Sequence, residues 1–205
     1  MSTVPPPADD RNALDAERER RLRQAAPAAV AASAMAGLVV LTMLLQGSAP
    51  GRAQAWLGLL GSALALRLAW WWRARSRPGA PGLPDAAASL RQARLLFGLH
   101  GLVWAALLPL LQPLPPPEAL GGVLFVWTAM VGGAFVTAAP DLRAVAFFTV
   151  PAGLALMAAL LGALGRPLPA LALGAAMLLL MVAAAGRRAA QQFEAEWRAL
   201  QAAER

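Results

Sequence analysis

Six apolar stretches of about 20 residues alternate along this chain with short polar or Pro/Gly-rich connections. They predict spans over residues 26–46, 53–72, 95–114, 119–139, 142–165 and 168–186. About 20 apolar residues are enough for a helix to cross the hydrocarbon core of a bilayer. No alternating strand pattern occurs, and lipid excludes open backbone. The pattern therefore predicts an all-α polytopic membrane protein, a bundle of six transmembrane helices.

The connections fit this division. Three of them are short and rich in proline or glycine, at 47–52, 114–118 and 165–167. The connection at 73–94 is the longest, and Asp85 within it is expected to cap a short helix. Pro140 and Asp141 form a tight turn, where Asp141 is expected to cap the following helix. Helices joined by such short links are expected to pack as antiparallel neighbours.

Arginine is distributed asymmetrically about the spans. All 18 basic residues are arginines, and all except Arg52, Arg67 and Arg166 fall in segments on one side of the predicted membrane. Short arginine-rich loops resist translocation, so this side is expected to be cytoplasmic. Both termini lie on it. Arg67 lies inside the second span, and we interpret it as reaching the headgroups from the helix end.

Composition narrows the class of protein. Only 14% of the residues are charged and 59% are hydrophobic, whereas a soluble domain has roughly 25% charged residues. The net charge of +7 lies at the membrane flanks, which indicates attraction to anionic lipid and not to nucleic acid. The bias to Ala, Leu and Arg without Lys is typical of a GC-rich bacterial genome. We therefore expect a multi-pass protein of the bacterial inner membrane.

Few residues could carry chemistry. The chain has no Cys and one His, so no metal or cofactor is predicted. His100 lies in the third span, and two interpretations stay open: a proton-sensing or cofactor-ligating imidazole, or a neutral one near the membrane interface that is bonded to a neighbouring helix. A hypothetical ligand-binding set consists of His100, Trp104, Trp127 and Thr128. No catalytic triad, carboxylate pair or phosphate-binding loop occurs, so we expect no enzyme in this chain.

The C-terminal region predicts one long helix. No proline follows Ala170, so the sixth span can continue to the end of the chain. Beyond Gly186 the sequence is polar, apart from a 3-4-3 pattern that is typical of a two-stranded coil. This pattern predicts a homodimer seam, formed by Ala190, Phe193, Trp197 and Leu200. The alternative is an amphipathic helix on the membrane surface.

The chain thus divides into a cytoplasmic segment at 1–24, a six-helix domain at 25–186 and a cytoplasmic signalling helix at 187–205. The stretch from RQARLLFGLHGLVWAALLPLL through GGVLFVWTAMVGGAFVTAAPDLRAVAFFTVPAGLAL to RRAAQQFEAEWRALQ resembles the multi-span sensor region of many bacterial sensor histidine kinases and diguanylate cyclases. It covers about residues 90–200. The shared features are an early Trp, a glycine-rich span ending in AP, a short polar turn and a proline in the next span.

The resemblance implies a function in two-component or cyclic-dinucleotide signalling. It implies a sensory input domain that passes a membrane or small-molecule signal to a cytoplasmic output domain. The chain has no phospho-acceptor histidine motif, ATP-binding box or GGDEF motif, so the resemblance implies signal input without the enzymatic step. A small transporter or channel, or a non-catalytic membrane scaffold, remains the alternative.

Overall fold

A computed structural model describes residues 8–45, 50–75, 83–112, 116–163 and 167–203. In this part of the chain every regular element is a helix. The tips of the predicted connections, at 46–49, 76–82, 113–115 and 164–166, lie outside the described residues, as do both chain ends. The helices are α1 (Ala8–Leu44), α2 (Pro50–Arg75), α3 (Leu83–Ala105), α4 (Leu107–Leu110), α5 (Pro117–Thr137), α6 (Leu142–Ala158) and α7 (Pro169–Ala203).

Five stretches of helix are long and apolar enough to cross a membrane, as far as the described residues extend. They are Asn12–Leu44, Ala86–Leu110, Pro117–Thr137, Leu142–Gly162 and Pro169–Ala203. The prediction of an all-helical chain of membrane type is confirmed. The count of six spans is not, because α2 falls outside this set.

The helix ends differ from the predicted ends in instructive ways. α1 and α7 each run unbroken across the predicted boundaries at 24/25 and 186/187. α3 begins at Leu83, so Asp85 lies inside its first turn, and its predicted place as the N-cap is wrong. α6 passes into a π-helical turn at Ala159–Ala163, where Gly162 has a φ of 126° that favours glycine.

α2 and α3 are antiparallel neighbours. The indole nitrogen of Trp70 donates to Ser89 Oγ at 3.2 Å, and that of Trp56 donates to the Val103 carbonyl at 2.8 Å. The end of α2 therefore lies beside the beginning of α3. Ser89 also donates to a carboxylate oxygen of Glu19 at 2.8 Å, which brings the first part of α1 to the same level.

α3 and α6 cross closely because glycines line the contact. A Cβ atom added to Gly101 would overlap the backbone of Phe148, and one added to Gly98 would lie 3.1 Å from the Phe147 ring. The absence of side chains thus lets the two helix backbones approach each other. This contact places α3 in the middle of the bundle, between α6 on one side and α1 and α2 on the other.

Asp141 fixes the relative position of α3 and α6. Its side chain accepts from the backbone nitrogen of Arg143 at 3.2 Å, which confirms the predicted cap of α6. The same carboxylate binds Arg94 of α3 through two bonds, of 2.7 and 3.2 Å. Since this pair joins the start of α6 to α3, and Phe147 then lies against Gly98, the two helices run side by side in the same direction.

Candidate functional site

Three polar side chains lie on the inward faces of their helices. Ser33 of α1, Arg67 of α2 and His100 of α3 are only 0%, 5% and 1% exposed. Each is in phase with buried apolar neighbours three or four residues away, and so its helix directs it into the bundle. In α2 these buried neighbours are Trp56, Leu60, Ala63, Leu64 and Trp70.

The three side chains are hydrogen-bonded to one another and lie against Trp104, and the four residues are here called the polar cluster. Ser33 Oγ lies 2.8 Å from His100 Nε2, and an Arg67 Nη1 donor lies 2.9 Å from His100 Nδ1. The indole nitrogen of Trp104 lies 3.2 Å from His100 Nε2. His100 thus joins α1, α2 and α3 through a single imidazole, and the contacts to Ser33 and Glu19 show that α1 and α3 run in the same direction.

The hydrogen bonds select one form of this imidazole. Arginine can only donate, so Nδ1 of His100 must accept. The ring proton then resides on Nε2, where it is donated to Ser33 Oγ. The N–H of Trp104 faces this proton-bearing nitrogen at the longer distance of 3.2 Å. The network therefore holds His100 neutral, because a second proton on Nδ1 would point at the Arg67 guanidinium.

Aromatic rings enclose the polar cluster. The Arg67 guanidinium carbon lies 4.2 Å from the centroid of the Phe97 ring, a cation–π contact. The edge-on ring of Phe148 lies 5.1 Å from the imidazole. Within the described part of the chain no carboxylate forms an ion pair with Arg67. Its charge is thus stabilised by one imidazole nitrogen and one π face.

The chemistry open to the polar cluster is limited. Hydrogen-bond donors outnumber acceptors, since Arg67 and Trp104 only donate and His100 offers one lone pair. An electron-rich oxygen would fit this arrangement better than a cation would. Among the described residues no group of three His, Asp or Glu side chains could hold a metal ion. The cluster is best described as a polar joint between three helices.

The position of Arg67 corrects one expectation. Its side chain does not extend to the headgroups but is buried against α3. The 3-4 spacing with Trp56, Leu60, Ala63 and Trp70 was the signal in the sequence that could have shown this. For His100, the structure shows the expected bonds to neighbouring helices, through Ser33 and Arg67, and its role stays a prediction.

The hypothetical ligand-binding set is only partly brought together. His100 and Trp104 are neighbours within α3, with the indole nitrogen 3.2 Å from His100 Nε2. Trp127 of α5 is fully buried, and its indole nitrogen has no partner in the part of the chain that the structure describes. Thr128 donates to the Leu124 carbonyl of its own helix at 2.8 Å. Neither α5 residue is hydrogen-bonded to the polar cluster, and ligand binding by the set stays a prediction.

The last turns of α7 contact the first turns of α1. Arg18 forms an ion pair with Glu194 at 2.6 Å. The guanidinium carbon of Arg21 lies 5.6 Å from the centroid of the Phe193 ring. Both contacts are partly exposed. They join the polar extensions of the first and the last long helix of one chain.

The predicted dimer seam lies on this same face of α7. Ala190 is buried, Phe193 and Trp197 are half-buried, and Leu200 is 62% exposed. Arg21 of the N-terminal helix lies against Phe193 of the seam, whereas Leu200 at its end is open. A seam between two copies stays a prediction.

Comparison with known proteins gave no matching family model, no matching curated protein and no matching solved structure. Function must therefore be argued from the residues and their geometry.

Proposed function

We propose that the chain is a sensory input domain of the bacterial inner membrane that relays a membrane or small-molecule signal to a cytoplasmic output domain. The observation that carries this proposal is the unbroken helix α7, whose 35 residues pass from an apolar to a polar half. At 1.5 Å per residue such a helix is about 52 Å long, so a rotation or shift inside the bilayer is transmitted beyond it. Catalysis belongs to the kinase or cyclase that receives the signal.

In this proposal α2 also crosses the membrane, as the second of six spans, and both chain ends are cytoplasmic. The antiparallel contacts of Trp56 and Trp70 with α3 support the first point, because they place α2 alongside α3 over the same depth of the bundle. The excess of arginine at the proposed cytoplasmic side supports the second. A guanidinium exposed to lipid would be costly, and Arg67 avoids that cost because it is buried against His100.

The relay needs two arrangements of α7 that a signal can favour differently. One is the packing of Phe193 and Glu194 on α1 within a single chain. The other is the seam between two copies, which uses Phe193 as well. Since one face cannot contact both partners fully, the two arrangements compete. The Arg18–Glu194 pair is partly exposed, and such pairs contribute only about 0–1 kcal/mol, so a small signal can shift the balance.

Cysteine scanning tests the relay, because the chain contains no natural Cys. Single cysteines from Ala189 to Leu200 in native membranes should crosslink between copies with a 3-4 rhythm. Arg18→Ala should raise crosslinking at Leu200 by about two- to fivefold, the equivalent of ~0.5–1 kcal/mol. The matched control is Arg20→Ala, which should change nothing, since among the described residues Arg20 pairs only with Glu17 of its own helix.

Two outcomes would contradict the relay. The first is crosslinking that is uniform along the segment or absent from it. The second is an equal response to the Arg18 and Arg20 substitutions, which would mean that any lost charge loosens the segment.

A small transporter is the second candidate, and the buried polar cluster is the observation that favours it. Polar groups facing the middle of a bundle can line a substrate path. Here, however, they bond to one another, and Phe97 and Phe148 close over them. Flux of protons or small anions into proteoliposomes that depends on His100 would replace the sensor proposal with this one.

A further inference from the structure

An open groove runs between α3 and α6 on the outer surface of the bundle. Its volume is about 430 Å³, and its surface is almost entirely apolar. It is lined by Gly98, Leu102, Ala146, Phe147, Val150 and Pro151. At Gly98 the absence of a side chain lets the Phe147 ring lie close against α3.

The described residues leave the groove uncovered. Leu102, Phe147 and Val150 are 58%, 46% and 55% exposed. Side chains of this kind on a helix of membrane type face hydrocarbon. The natural occupant of a narrow apolar groove in that setting is a flexible hydrocarbon chain.

Two arginines lie at one end of the groove. Arg143 precedes Phe147 by one turn on the same face of α6, and Arg91 precedes Gly98 by two turns on the same face of α3. Both side chains are exposed, and neither forms an ion pair with the described residues. Asp141, the carboxylate nearest to Arg143 in sequence, is buried and already bound by Arg94. The end of the groove is therefore positively charged.

We propose that this groove binds an anionic phospholipid, with one acyl chain between α3 and α6 and the phosphate at Arg91 and Arg143. An amphiphile matches both parts of the surface, the apolar length and the cationic end. A second protein helix would match the apolar part alone. The inference requires only that the chain lies in a bilayer, and it does not depend on the signalling proposal.

Native mass spectrometry of the full chain in detergent tests the site. The protein is titrated with phosphatidylglycerol and, separately, with zwitterionic phosphatidylcholine of the same acyl chains. One phosphatidylglycerol should bind more tightly than phosphatidylcholine. Arg91→Ala and Arg143→Ala should each weaken it about fivefold, because a basic residue near anionic lipid contributes ~1 kcal/mol. The control Arg188→Ala, an exposed arginine of α7, should leave binding unchanged.

A second variant tests the apolar part of the site independently. Ala146→Trp fills the groove and should abolish the retained lipid of both headgroup types, whereas Ala184→Trp on the exposed face of α7 should not. Equal binding of the two lipids, or an equal effect of Arg188→Ala, would overturn the proposal, since either means unspecific attraction. If the original chain binds no lipid and Ala146→Trp abolishes a dimer, the groove belongs to a second copy of the chain. That result would also overturn the proposal.

Discussion

Replacing His100 with leucine should expose how much the bundle depends on the polar cluster. The substitution removes the acceptor for Arg67 and leaves a buried guanidinium beside the Phe97 ring. Losing one partner of a buried charged pair costs about 3–5 kcal/mol in soluble proteins. Hydrogen bonds between membrane helices are weaker, ~0.6 kcal/mol on average and ~1.7 at most. Because the π face of Phe97 still stabilises the charge by about 1 kcal/mol, we expect the free energy of unfolding to fall by about 2 kcal/mol.

Two further variants separate the lost bond from lost packing. In His100→Gln the side-chain oxygen can still accept from Arg67, so stability should stay within about 1 kcal/mol of the original. In the double variant Arg67→Leu, His100→Leu no charge is left unpaired. Its destabilisation should therefore be smaller than the sum of the single changes, by about 1 kcal/mol.

The measurement is reversible unfolding by SDS in mixed micelles, followed by tryptophan fluorescence. Trp56 and Trp104 suit this assay because they are buried, with ring centroids 5.6 Å apart. The reasoning is refuted if His100→Leu is as stable as the original chain. It is equally refuted if the destabilisation of the double variant equals the sum of the two single values to within about 0.5 kcal/mol, since the residues then act independently.

Two other predictions use the same assay. Gly101→Leu should destabilise the bundle by about 1–3 kcal/mol because the new side chain meets the backbone of Phe148, which cannot rotate away. Gly121→Leu, with nothing within 4 Å of its added Cβ, should change stability by less than about 0.5 kcal/mol. An equal loss of stability in the two glycine variants would contradict the steric explanation. Asp141→Ala should cost about 3 kcal/mol through the lost pair with Arg94 and the lost cap, and Asp141→Asn, which retains the cap, about half as much. Equal effects of the two changes at Asp141 would mean that the cap contributes nothing and that the lost charge accounts for the whole effect.

Helix type and approximate extent could be predicted from the sequence because apolar runs of membrane length have few alternative structures. The cap at Asp141 could be predicted as well, since it depends on neighbouring residues only. The second partner of Asp141, Arg94, could not, because the two are 47 positions apart. Contacts between residues so far apart in the sequence depend on how the helices are rotated about their axes.

The polar cluster shows the same limit. His100 was recognisable as unusual, yet its partners Ser33 and Arg67 lie 67 and 33 positions away. The proximity of Arg67 to three tryptophans suggested an interfacial position, whereas its phase with the buried residues of α2 indicated the interior. Phase was the better guide, because burial against a neighbouring helix removes the cost of a charge in lipid. The α1–α7 contact of Arg18 and Glu194 joins the two ends of the chain and had no local signal.

The burial of Arg67 has a consequence for how the protein is made. During synthesis α2 leaves the ribosome before α3, and the acceptor on His100 follows Arg67 by 33 residues. An isolated helix with an arginine in its apolar half enters lipid poorly. If α2 spans the membrane as proposed above, it is expected to stay beside the translocation machinery until α3 arrives, so that α2 and α3 enter the membrane together. Any change that delays α3 or removes its imidazole would then produce a topological error before it produced an unstable bundle.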